Sequence, residues 1–111
     1  MKKILLLFVV MTLSGSLFAA GWTPAPGQKI SGIIVEGSDT SGTALIIIDG
    51  GVPAANLPSE CSSIYNKVSL ETERGRGMLA VALAAKLADK PVRLALGACD
   101  GTRPLITNIW L

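Results

Sequence analysis

From Met78 to Ala88 the chain is apolar at every position except Lys86, so it contains one helix-forming run with no polar face. Thr72, followed by Glu73, supplies an N-cap, and Pro91 behind Asp89-Lys90 supplies a stop. One α-helix is therefore expected across residues 72–90. Gly75 and Gly77 weaken its first turn, and Glu73-Arg74-Gly75-Arg76-Gly77 reads as a flexible, protease-sensitive approach to it. Leu79, Leu83 and Leu87 fall in one row and Ala80, Ala84 and Ala88 in the next. A helix apolar nearly all round is covered on more than one side. In a small domain the second cover is expected to be another subunit, which makes these six residues the candidate oligomer contact.

Everything around that helix reads as strand. Lys29–Glu36 is a β-branched run, Gly37–Gly42 is turn chemistry, and Thr43–Asp49 is a second strand closing a hairpin. Three consecutive isoleucines, Ile46 to Ile48, imply that both faces of that strand are covered. Val52–Ser63 is a loop, and Ile64–Leu70 a third strand. Beyond Pro91, Val92–Leu96 is a fourth strand, Gly97–Pro104 a turn, and Leu105–Leu111 a fifth. On the fifth, Leu105, Thr107, Ile109 and Leu111 share one face, and Ile106, Asn108 and Trp110 the other. Three strands, one helix and two strands (β-β-β-α-β-β) argue against a doubly wound parallel sheet and suit a small five-stranded OB-fold-like barrel.

The first twenty residues carry Lys2 and Lys3, an apolar run from Ile4 to Leu13 and small residues at Ala19 and Ala20. They read as a cleaved signal peptide (1–20), leaving an extended arm (21–27) and a domain (28–111). Without Lys2 and Lys3 the ten basic residues become eight, against eight acidic ones, so the net charge of +2 falls to zero. No electrostatic footprint for nucleic acid remains, and no membrane span is expected in the mature chain. Export to the periplasm or beyond is oxidising, and Cys61 and Cys99 are the only cysteines. One Cys61–Cys99 disulfide is expected, worth about 4 kcal/mol in the chain-entropy picture.

There is no histidine, which removes His-based triads and nearly all zinc catalysis. Acid–base work would fall to carboxylates such as Asp39 and Asp100, or Glu71 and Glu73, which read as solvated turn residues. Gly75-Arg76-Gly77-Met78-Leu79-Ala80 matches a dinucleotide fingerprint without the parallel βαβ unit it needs, so no cofactor is expected. Arg74 and Arg76 at the helix start are candidate anion contacts. If the barrel follows OB habits, its binding loops hold Ser38, Asp39, Thr40 and Ser41, and Asp100, Thr102 and Arg103. Trp22, Tyr65 and Trp110 are the few stacking candidates.

Cys61, Tyr65, Lys90-Pro91-Val92-Arg93-Leu94, Cys99, Pro104-Leu105-Ile106 and a strand at the very C-terminus resemble a group of small exported Gram-negative proteins with no assigned activity. The layout, with little shared sequence, resembles the OB-fold B subunits of AB-type toxins of the subtilase-cytotoxin and pertussis kinds. That likeness implies a homo-oligomer, with a pentamer of helices around a pore, and a surface glycan as ligand. No sugar-binding residue of those subunits maps onto this chain. The expectation is an exported, non-enzymatic, oligomeric module that binds a glycan or a partner protein. A monomeric periplasmic inhibitor or scaffold is the alternative, and a small carboxylate-based hydrolase comes third.

Overall fold

The structure, a computed structural model, describes residues 22–38 and 41–111. The expected signal peptide, with Gly21, Asp39 and Thr40, lies outside the described residues. The elements run β1 (Ile30–Ser38), β2 (Ser41–Ile48), a 3-10 turn (Ala54–Asn56), β3 (Asn66–Ser69), α1 (Glu73–Leu87), β4 (Arg93–Asp100) and β5 (Arg103–Trp110). The described residues are thus mainly β with one α-helix between the third and fourth strands, in the expected order.

The strands form one sheet in the order β1-β2-β3-β5-β4. Neighbours are antiparallel except β3 and β5, which meet in parallel at Lys67 and Leu105. The sheet does not close into a complete barrel. In place of a ladder between β1 and β4, Gln28 and Val92 exchange backbone hydrogen bonds (2.9 and 2.8 Å), and Trp22 bridges Ala95. The physical reason lies in the arm. Pro24 and Pro26 have no N–H to give, and Gly27, at φ 101°, presses its backbone so near Val92 that a Cβ would sit 2.5 Å from the Val92 oxygen. Thr23 anchors the arm instead: it is buried, its N–H donates to the Leu94 oxygen (2.8 Å), and its hydroxyl accepts from the Leu94 N–H (2.9 Å).

Ala44, Ile46 and Ile48 of β2 meet Ile30, Val68, Val92, Leu94, Leu96 and Ile106 in one core, closed by Ala82 and Ala85 of α1. Leu45, on the opposite face of β2, is only 2% exposed. Ile47 of the isoleucine run is half-buried on that same face, so both faces of β2 are at least partly covered, as the run implies. Thr72 caps α1 by accepting from the Gly75 N–H (3.0 Å). The approach to the helix is not a separate turn: residues 73–77 are already helical, and Gly75 is buried where a Cβ would overlap the Ser69 carbonyl. The helix-weakening glycine is what lets α1 settle on β3.

Two expectations about the last strands are corrected. β4 reaches Asp100, so Cys99 lies in a strand and only Gly101-Thr102 turns the chain. The β4–β5 register shifts between Ala95 and Leu96 and again between Leu96 and Cys99. Such bulges flip the alternation of side chains. Ile106 is buried and Ile109 packs on the same core, so the two faces expected for residues 105–111 do not run unbroken along β5.

Candidate functional site

Of the two loops picked out by OB habit, the 100–103 turn is held by residues of β1, β3 and the loop before β3. Lys67 of β3 pairs with Asp100, and Arg103 reaches Glu36 of β1 (2.8 Å). The Arg103 guanidinium lies 5.8 Å from the centre of the Tyr65 ring. The Thr102 carbonyl accepts from both Ser62 and Ser63 (3.0 Å each). The disulfide Cys61–Cys99, with Cα atoms 5.5 Å apart, ties the loop before β3 to the end of β4 beside that turn. Ser38 and Ser41 hydrogen-bond each other at 3.3 Å across the hairpin end, while Asp39 and Thr40 lie outside the described residues. The Lys67 ammonium, by hydrogen bond and then by charge, holds the Asp100 carboxyl below its ordinary value, with Arg103 adding to the effect.

At the helix start, two adjoining grooves of about 580 and 550 Å³ share Arg74, Met78 and Thr107 in their walls. Arg74 lines both, whereas Arg76 turns back to donate to the Leu70 carbonyl (2.9 Å). The two arginines therefore do not form one anion contact. Their polar neighbours are already engaged, Lys67 by Asp100 and the Thr72 hydroxyl by Gly75. Of the six candidate oligomer residues, Leu79 packs partly against the core, while Ala80, Leu83, Ala84, Leu87 and Ala88 face outward.

The third surface is built by the open seam of the sheet. Arg93 is the cross-strand partner of Trp110, and Trp22 bridges Ala95 two residues along β4. Residues two apart on a strand share a face, so the register alone sets Arg93 between the two indoles. The rings meet edge to face at 5.9 Å and 75°. The Arg93 guanidinium is 5.9 Å from the Trp22 ring centre and 5.6 Å from that of Trp110. Arg93 Nε donates to the Thr23 carbonyl (2.8 Å), and the Asn56 amide donates to the Trp22 carbonyl (3.2 Å). The cluster is thus fixed from below while its rings stay accessible: Trp110 is 58% exposed and Trp22 38%. Beside it lies a cleft of about 170 Å³ lined by Pro26, Pro91, Arg93, Trp110 and Leu111.

Among the described residues no group of carboxylates or cysteines is arranged to hold a metal ion. No protein-family model, no curated protein and no solved structure matches this chain. Arg93 is the residue that sequence reasoning missed. Lys90-Pro91-Val92-Arg93 reads locally as the start of a strand, and only the pairing of the chain's two ends reveals its aromatic neighbours.

Proposed function

We propose that the mature chain is an exported, non-enzymatic module that binds a partner protein through the Trp22–Arg93–Trp110 ridge. The observation that carries this reading is a pair of exposed indoles held rigid around an arginine, next to a cleft whose lining is otherwise apolar. Tryptophan and arginine are the residues that dominate protein–protein contact energies. An exposed apolar patch rimmed by a charge is the usual mark of such a surface. A space near 150 Å³ admits a group of benzene size, so the cleft suits one leucine or proline side chain of the partner. Arg93 keeps its terminal N–H groups at the rim, where a partner carboxylate would satisfy them bidentately. The favoured ligand is an extended segment with an apolar residue beside an acidic one.

The toxin-like layout implies a glycan instead. Sugar recognition needs many open polar groups, and the charged residues of the 100–103 turn are already engaged by strand residues at Lys67–Asp100 and Glu36–Arg103. The disulfide fits an oxidising compartment, and no helix among the described residues is long and apolar enough to cross a membrane.

Trp22 and Trp110 are the only tryptophans, so intrinsic emission reports on the ridge alone. Titration with short peptides that place Leu or Pro beside Glu is expected to shift that emission saturably, and Arg93→Gln should abolish the shift. A saturable response to an oligosaccharide panel, with none to the peptides, would overturn the proposal.

A further inference from the structure

β3 holds four residues, and β5, its parallel neighbour, holds eight. The two strands pair at Lys67 and Leu105. After Ser69 the chain leaves the sheet and turns into α1, whose Gly75 rests on the Ser69 carbonyl. Beyond Leu105, β5 therefore keeps β4 on one side and, among the described residues, has no strand on the other. Alternate residues of a paired strand turn their N–H and C=O groups away from the partner, so residues 107–109 present backbone donors and acceptors to that open side. The two grooves at the helix start lie along it. Half-buried Met78, Val81 and Ile109 give them an apolar lining, with exposed Thr107 and Asn108 beside it. Arg74 borders both grooves, and among the described residues its guanidinium has no hydrogen bond or ion pair.

We infer that this edge is a strand-addition site: an extended segment of a partner protein enters the groove, pairs its backbone with residues 107–109 of β5, and sets a carboxylate against Arg74. An open ladder selects an extended chain, because a helix spends its backbone groups on itself. An unengaged guanidinium selects a carboxylate, which can accept two of its N–H groups at once. Residues two apart on the added strand share a face, so those facing Met78, Val81 and Ile109 are apolar, and flexible Met78 adapts to them. Residues 105–109 span about 16 Å, enough for about five residues of the partner. The exposed strand β1 of a second copy does not supply the charge, since its Glu36 is already held by Arg103. The occupant is therefore a segment of a different protein, alternating apolar residues with others, one of them acidic.

The probe is the peptide Val-Thr-Val-Glu-Val-Thr, which has no leucine or proline for the ridge cleft. An NMR titration is expected to give saturable shifts along β5 and the start of α1, and to slow amide exchange within residues 107–109 at least about tenfold. N-methylation of alternate peptide amides should abolish binding in one frame and leave it within about threefold in the other. Arg74→Glu, a charge that suits a helix start, should reject this peptide and accept Val-Thr-Val-Lys-Val-Thr. Gly77 also lines the groove, and a Cβ there would meet nothing within 4 Å. Leucine is a better helix former than glycine, so Gly77→Leu should keep the melting temperature while peptide binding falls. Equal effects of the two methylation frames, or an Arg74→Glu chain that still prefers the glutamate peptide, would overturn the inference. So would slow exchange in the free protein that grows with its concentration, which would give the edge to a second copy. Shifts at Trp22 and Trp110 with none at residues 107–109 would overturn it and leave the ridge reading standing.

Discussion

Two surfaces of this domain carry its cations beside aromatic rings, and they differ in what those groups face. On the loop face, Arg103 covers Tyr65 and is held by Glu36, while Lys67 is held by Asp100. On the ridge, Arg93 lies between two indoles and is held by the Thr23 carbonyl, while the rings stay exposed. The first arrangement completes itself within the chain. The second leaves its two rings accessible to solvent. Turn residues rich in hydroxyls and charges are therefore poor guides to a binding site when their partners lie across the sheet.

The contrast can be broken most forcefully at the disulfide. Replacing Cys61 and Cys99 by serine should lower stability by about 2–5 kcal/mol, read by urea unfolding, while peptide affinity of the molecules still folded stays unchanged. A loss of affinity in that variant would tie the two surfaces together. Trp110→Ala should do the reverse. With the ring more than half exposed, stability should change little, while peptide binding weakens by about tenfold, or about 1.4 kcal/mol, measured by calorimetry.

The loop face also carries a pH signature. The Asp100 carboxyl titrates below its ordinary value of 3.8 in the folded chain. Its contribution is thus fully present above that value and is lost as pH falls through the lower, folded value. Urea unfolding between about pH 2 and pH 7 should show that acid loss in the native chain and not in Asp100→Asn. The smallest effect belongs to Glu36→Gln, an exposed pair worth at most about 1 kcal/mol. A double-mutant cycle with Arg103→Met should return coupling of that size.

Much of the architecture was legible because its signals are local. The Thr72 cap, the proline behind the helix and the β-branched runs each act within a few residues, and the disulfide, though its partners lie 38 residues apart, was legible because the chain has only two cysteines. What was not legible is set by pairing over long separations. The bulges that bring Ile106 and Ile109 to one core depend on the facing strand. Gly75 looked like weakness in a helix because the Ser69 carbonyl that requires it belongs to another element. The ridge joins residue 22 to residues 93 and 110, a juxtaposition that no local pattern encodes. Trp22 and Trp110 could be singled out only as scarce aromatics.

The central claim is that contact is made at the ridge and not at the OB-style loops. Photo-crosslinking to a bound Leu/Pro-Glu peptide, from a photo-activatable residue at position 111 in one variant and at position 102 in another, compares the two directly. The account predicts adducts from position 111 that disappear in Arg93→Gln, and none from position 102. Adducts from position 102 that persist in Arg93→Gln would contradict it.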